Sequence, residues 1–389
     1  MSALTTIPST STITTWESLN LTENLTRGIY RVGFEKPTPI QQMAILPIIQ
    51  GKDVVAQAQS GTGKTGSFTI ASLQKIDLAS RTTQVLIIAP TFELVKQISG
   101  VVVSLGSAMD GLVIKTLVGG TSVTDDARDL NANCPHIVIG TAGRVYDMIR
   151  RRNLMTASIK LFVLDEADEM LSKGFKEQIY DIFKYFSDNV QVALFSATLP
   201  NDILTLSAKF MRDPVQITLK PEELTLECIQ QFYISMVDDR SKYETLKDLF
   251  AFLQLSQCII YVNTVKRVEE LYSAMIVDGF PVCCIHSGME KTQRDASLTK
   301  FRNGAFRVLV SSGVTARGID VQQVSTVINF DMNRNIETYL HAIGRSGRFG
   351  RKGLAINFVT KYDIDFIRKL EEYYKISIRE LPEDFANLI

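Results

Sequence analysis

The chain has 389 residues, with 42 Lys+Arg against 42 Asp+Glu, 45% apolar residues and three His. Such a length predicts about two domains, each able to bury its own core, and the zero formal charge excludes a polybasic arm or an acidic tail as the main mode of binding. The balance holds on both sides of residue 220, with 21 basic and 20 acidic residues up to it and 21 and 22 beyond it, so any site for a polyanion must be made by placement.

In the first fifteen residues there are nine Ser or Thr, no Lys or Arg and no long apolar run, which predicts a flexible tail over 1–15 and argues against a secretory or mitochondrial signal. No stretch approaches the ~20 apolar residues of a membrane span. Short apolar runs then alternate with amphipathic stretches: DVVAQA, QVLIIAP, LVIKTLVGG, HIVIGT, LFVLDEAD and QVALFSAT. Runs of this kind suit parallel strands covered on both faces by helices. Pro214 and Pro221 interrupt the pattern, and the rhythm resumes with QFYISM, QCIIYVNT, VCCIHSG, RVLVSSG, TVINFD and LAINFV. The expected fold is α/β, two tandem domains over 16–216 and 226–389 joined by a linker at 217–225 and free to move relative to each other. One large sheet with a surface loop here is the alternative.

Cys134, Cys228, Cys258, Cys283 and Cys284 lie mostly in apolar runs and form no CxxC. They are expected as buried thiols in a reducing compartment, not as a disulfide or zinc framework. His136 and His286 are expected to pack or turn, and no His/Cys group has metal-ligand spacing.

Ala58 to Thr65 reads AQSGTGKT, after one apolar run and before a helical stretch. In this order backbone N–H groups of Ser60, Gly61, Thr62 and Gly63 cradle phosphates, Lys64 supplies charge to the β/γ-phosphates and the Thr65 hydroxyl ligates Mg²⁺. Ala58 stands where the strict pattern has its first Gly, so a Gly-rich turn without nucleotide is the bland reading. Further on, LFVLDEAD places Asp165 at the end of a buried strand, where α/β sheets bind ligands. Asp165 suits Mg²⁺, and Glu166 beside it suits a base that orients and deprotonates water. Without the phosphate loop such a cluster would equally be the first turn of a helix.

Asp165, Glu166, Ala167 and Asp168 spell the motif that names the DEAD-box RNA helicases, and further motifs of that family follow in order. They are Ser196–Ala197–Thr198, ARGID at 316–320 and HAIGRSGRFG at 341–350, with FEKPTPIQ at 34–41 resembling the family's Q motif and Trp16 at its upstream aromatic. The resemblance runs from about residue 16 to 389. It implies two RecA-like domains that hydrolyse ATP with Mg²⁺ on closing around single-stranded RNA, opening short duplexes locally. It implies that Phe34 stacks on adenine, that Gln41 reads its edge through both hydrogen-bond roles of an amide, and that Asp320 holds the ribose. Arg345 and Arg348 would be arginine fingers, with Ser196, Thr198 and His341 coupling the nucleotide to the domains. The implied RNA contacts are Thr91, Glu93, Gly119, Gly120, Thr141 and Arg144 in the first domain, and Asn263, Thr264, Arg294 and Ser312 in the second.

Several positions depart from the family pattern: Phe92 for Arg, Ala142 for Pro, Lys291 for Gln, Gly313 for Asp, Asn333 for Pro and Ala342 for Arg. Nucleotide chemistry is complete, while RNA coupling is expected to be weaker. Stretches between the motifs, such as VLDEADEMLSKGF and ARGIDVQQVS, resemble the branch acting in translation initiation. That implies a cytoplasmic monomer working with a scaffolding initiation factor. An ATP-dependent RNA clamp of the exon-junction type is the alternative, and a DNA translocase is disfavoured by the motif set.

Overall fold

The computed structural model describes residues 13–58, 61–172, 174–218, 229–252, 257–312, 324–333, 335–346, 353–374 and 376–382. Of the sequence expectations, Ser60, Asp320, Arg348, Gly313, Cys228 and residues 219–225 of the linker lie outside the described residues. The chain divides into two compact units between residues 220 and 221.

In the first unit, seven strands form one parallel sheet in the order β3-β4-β2-β5-β6-β1-β7. They are β1 (Val54–Gln57), β2 (Val85–Ile88), β3 (Ile114–Leu117), β4 (Ile137–Gly140), β5 (Leu161–Leu164), β6 (Gln191–Ser196) and β7 (Val215–Thr218). The helices are α1 (Glu23–Arg31), α2 (Pro39–Ile49), α3 (Lys64–Gln74), α4 (Phe92–Leu105), α5 (Val123–Ala132), α6 (Ala142–Arg150), α7 (Ala167–Ser172), α8 (Lys176–Phe183) and α9 (Asn201–Phe210). Strands β2, β4, β5 and β6 are buried at every residue, the signature of a sheet covered on both faces. Aromatic rings knit the α8–α9 side, with Phe183 stacked on Phe210 at 4.1 Å and edge-on to Phe162 at 5.0 Å.

The second unit repeats the plan in the order β10-β11-β9-β12-β13-β8-β14, again all parallel. Its strands are β8 (Ile229–Ser235), β9 (Cys258–Val262), β10 (Val282–Ile285), β11 (Val308–Ser312), β12 (Thr326–Asn329), β13 (Gly353–Val359) and β14 (Arg379–Glu380). Helices α10 (Ser241–Phe252), α11 (Val265–Val277), α12 (Lys291–Arg302), α13 (Ile336–Ile343) and α14 (Ile364–Tyr374) complete it. Two parallel-sheet α/β domains are the architecture expected from the alternating runs, and their RecA-like build is the one the family resemblance implies.

Three expectations change in detail. Ile217 and Thr218, expected in the linker, belong to β7, because the V-Q-I-T alternation pairs with β1 through Ala56 and Gln57. Ile13, expected in the tail, is already buried. Cys134 is exposed, whereas Cys258 and Cys283 are buried as expected. His136 packs as expected, its Nδ1 accepting the Val113 N–H at 3.0 Å. No helix among the described residues is long and apolar enough to cross a membrane.

Candidate active site and nucleic-acid interface

Strand order sorts the candidate residues into two groups on one edge of the first sheet. The adjacent strands β5, β6 and β1 deliver Asp165, Ser196 and the phosphate loop at their C-terminal ends, aligned by the pairing of Gln57 with Ser196 and of Leu164 with Leu194. This is where parallel sheets bind ligands.

Gly61 and Gly63 carry φ of 86° and 105°, backbone that side-chain-bearing residues rarely adopt, and Gly63 leads directly into α3. Lys64 opens that helix, and its buried Nζ donates to the Ala58 carbonyl at 2.7 Å, so the ammonium is aimed back across the loop. Thr65 beside it is half-buried. Gln41 is buried, its Oε1 accepting the Thr38 N–H at 2.8 Å and its Nε2 donating to the Gly63 carbonyl at 3.4 Å. A Cβ on Gly66 would fall 2.6 Å from that Nε2 and 3.2 Å from the Phe34 ring, which places the Q-motif side chains against the start of α3. Trp16 holds Phe34 by donating Nε1–H to its carbonyl at 2.8 Å, with the two rings stacked at 6.4 Å.

Burial pushes the Asp165 carboxyl up to about 7, opposed by the Lys64 ammonium and reinforced by the Glu166 and Asp168 charges. The Asp165 Oδ1 accepts the N–H of Glu166 at 3.0 Å, and Glu166 sits at φ 53°, a left-handed conformation costing of order 1–3 kcal/mol that concentrates at functional sites. Asp168 Oδ2 accepts the Thr198 hydroxyl at 2.9 Å and its N–H at 3.2 Å, while the Asp168 N–H donates to Ser196 Oγ at 3.2 Å. The acidic turn after β5 is therefore tied to the end of β6.

Two hard oxygen donors, Thr65 and Asp165, suit Mg²⁺. A carboxyl whose charge burial disfavours, with a lysine aimed back across the same loop, fits a site that takes a divalent cation and phosphates.

The other half of the edge, β3, β4 and β2, carries the first domain's candidate RNA contacts. Thr91 caps α4 by accepting the Leu94 N–H at 3.2 Å. Thr141 precedes α6, and Gly119 and Gly120 are exposed after β3, while Glu93 in the first turn of α4 is half-buried. Helix N-termini with hydroxyl caps suit phosphate oxygens. Arg144 is differently engaged. Its guanidinium, 8% exposed, donates to Thr121 Oγ1 and to the Thr121 carbonyl, each at 2.8 Å, and pairs with Asp126. It clamps the loop that follows Gly120. Asp126 and Thr121 escaped sequence reading because TSVTDDARD has the look of a solvated helix start.

The second unit echoes this arrangement. Strands β11, β9 and β12 end together, bringing Ser312, exposed Asn263 and Thr264, and Asp331 to one edge. Thr264 caps α11 by accepting the Arg267 N–H at 3.2 Å, as Thr91 caps α4. Arg294 lies half-buried on α12. His341 lies in the last turn of α13, and its carbonyl accepts Arg345 Nε–H at 3.1 Å.

Among the departures, Phe92 is half-buried at the first turn of α4 with the Lys96 ammonium 5.9 Å from its ring centre. Ala342 packs in an apolar cluster with Ile259, Tyr261, Leu298 and Phe301, so this departure fills a core position. Asn333 accepts the Asn335 N–H at 3.0 Å, turning the chain into α13. Ala142 is buried at the start of α6, and Lys291 opens α12.

Fold and site together define a phosphate-loop nucleotide hydrolase built on two RecA-like domains. The chain belongs to the DEAD/DEAH box helicase family, whose model matches residues 38–206, followed by the helicase conserved C-terminal domain over 241–350. It is 51% identical over 374 residues, 96% of this chain and 94% of the relative, to the ATP-dependent RNA helicase eIF4A of Coccidioides immitis (strain RS). With the ATP-dependent RNA helicase eIF4A of Saccharomyces cerevisiae (strain YJM789) it shares 52% identity over the same shares of both chains. Among solved structures it is similar to S. cerevisiae Dbp5 bound to RNA and ADP BeF3, with a TM-score of 0.88 and 31% identity over 96% of this chain and 97% of that one.

Proposed function

We propose that this chain is an ATP-dependent RNA helicase of the eIF4A type, acting in the cytoplasm in translation initiation as a monomer that a scaffolding factor engages. The observation that carries the reading is the sorting along one sheet edge. The residues proposed for nucleotide follow β5, β6 and β1, and the turns proposed for RNA phosphates follow β3, β4 and β2. A neutral protein grips a polyanion by such turns, through hydroxyls, glycine backbone and helix N-termini.

Gln41 and Phe34 select adenine, and the loop from Ser60 to Thr65 holds the phosphates. Thr65 and Asp165 would hold Mg²⁺, which when bound neutralises charge on the phosphate oxygens and fixes their orientation. Glu166 orients and deprotonates the attacking water. Arg345 and Arg348 act as arginine fingers in hydrolysis, a contribution of ~10³ to 10⁵ in rate where such fingers act. Thr91, Thr141, Gly119 and Gly120 hold the strand in the first domain, and Asn263, Thr264, Arg294 and Ser312 in the second. Arg144 serves that grip through the loop it clamps. Asp168, Ser196 and Thr198 carry the state of the nucleotide to the domain surfaces.

Strand displacement tests the reading. A short RNA duplex with a single-stranded overhang should separate with ATP and Mg²⁺ and stay paired with ADP. Stable ATP-dependent RNA binding without displacement would favour the clamp instead.

A further inference from the structure

A cluster of charges lies beneath the turn that carries Asn263 and Thr264. Lys242, on α10, has a side chain only 5% exposed, and its Nζ stands 2.9 Å from Asp331 Oδ1 and 2.9 Å from Asp239 Oδ1. Asp331 follows β12, the neighbour of β9, and its Oδ2 accepts the backbone N–H of Asn263 at 3.3 Å. The Asn263 side chain donates to the Met332 carbonyl at 3.1 Å, so the turn after β9 is tied to the turn after β12 twice. Arg267 closes the group. It pairs with Asp239 at 2.6 Å and approaches Asp331 Oδ2 at 3.5 Å, while its own N–H is capped by Thr264. Both cations stand over the Phe330 ring, Arg267 at 5.3 Å and Lys242 at 5.5 Å from its centre.

Two cations and two carboxylates make the cluster neutral, and Lys242 is too buried to meet a polyanion. What it can do is hold the Asp331 carboxylate in place, with one oxygen on its ammonium and the other on the Asn263 backbone. A buried ion pair of this kind adds little net stability compared with apolar groups of the same shape. It does fix geometry. Here the fixed atoms are the backbone of Asn263 and, through the Thr264 cap, the first turn of α11. Phe330 supplies a flat apolar floor that holds both cationic side chains by their charge as well as their stems.

We infer that Lys242 and Asp331 are positioning residues for the RNA-facing turn of the second domain, acting through Asn263 and Thr264. The inference rests on the reading of that turn as an RNA contact. Neither residue touches RNA. Both set where the turn's hydroxyl, amide and helix N-terminus stand before the strand arrives, so their loss costs affinity for RNA more than it costs the turnover of an RNA-saturated enzyme.

The test uses the full chain with polyuridylate RNA in a steady-state ATPase assay, repeated across a salt series. Lys242→Met keeps the stem volume and removes the charge. It should raise the KM for RNA about tenfold while kcat at saturating RNA stays within about twofold. The slope of log KM against log salt should not change, because no phosphate contact is lost. Lys242→Met with Asp331→Leu replaces the pair by apolar groups and keeps the fold if the single variant loses it. The double variant should still show the raised KM, since Asn263 loses its acceptor. An unchanged KM in either variant overturns the inference, and so does a slope that falls by about one, which would make Lys242 itself a phosphate contact. Thr264→Ala separates the two levels. If it leaves the KM for RNA unaltered, the reading of the turn fails. If it raises that KM while both cluster variants do not, the positioning role alone fails.

Discussion

Replacing Thr198 by Val removes one hydroxyl and nearly nothing else. That hydroxyl donates to Asp168 Oδ2 at 2.9 Å between two buried residues, with the Thr198 N–H on the same oxygen at 3.2 Å. A hydrogen bond to a carboxylate is worth about 1.5–3 kcal/mol, and the valine sets a methyl against the acceptor in its place. The first domain should therefore lose about 1.5–3 kcal/mol of stability. Trp16 is the chain's one tryptophan, and it is buried in this domain, so its fluorescence reports the first domain alone. In urea the midpoint should fall by roughly 1 M with an unchanged slope, given slopes of about 1–3 kcal/mol/M. Thr198→Ser keeps the hydroxyl and should lose only about 0.8 kcal/mol for the missing methyl. A valine variant that melts with the serine variant would refute the reasoning, because the hydroxyl would then be worth no more than a methyl group. If this link also couples nucleotide to RNA, the valine variant should hydrolyse ATP with RNA present yet displace strands poorly.

The remaining predictions follow from single environments. Alkylation at pH 8 should label exposed Cys134 at least about a hundredfold faster than Cys258 and Cys283, because burial pushes both of those thiols up, Cys283 to about 12; equal rates by peptide mass spectrometry would contradict this. Asp53 accepts the Val192 and Arg212 N–H groups, yet burial raises its carboxyl above the ordinary 3.8. The folded chain thus binds this proton more tightly than the unfolded one. The resulting stability is fully present below about pH 4 and is lost as pH rises through the raised value. Asp53→Asn should remove that slope from the Trp16 urea midpoints between pH 4 and 8, and parallel profiles would exclude it. Phe92→Arg should steepen the salt dependence of RNA binding by about one and raise RNA stimulation of the ATPase, at a small cost from placing a cation at a helix N-terminus. An unchanged slope would mean that no phosphate passes this position.

Most strands were legible because burial on both faces leaves a run of apolar, β-branched residues no other place, as in VLII and LFVL. Strand β7 was not, since Pro214 and Pro221 bracket a stretch whose pairing with β1 is decided by the sheet edge and not by local composition. The phosphate loop and Asp165 were legible because phosphate and metal chemistry demands particular residues at fixed spacing. The sorting of nucleotide and RNA candidates to two halves of one edge was not legible, because strand order is a long-range property. The same holds for the partners of Arg144 and Lys242. A buried guanidinium or ammonium has no sequence signature, and Asp126 and Asp331 lie 18 and 89 residues from the cations they meet. Ala342 shows the converse, a position that motif comparison marks as a lost charge and packing marks as core.

The central claim, that RNA drives nucleotide hydrolysis at the Lys64, Asp165 and Glu166 site, is tested most directly by ATPase assays of the full chain with single-stranded RNA, with DNA of the same sequence and with neither. RNA alone should stimulate turnover, and Glu166→Gln should abolish that stimulation while nucleotide still binds. Equal stimulation by DNA, or stimulation that survives Glu166→Gln, would contradict the account.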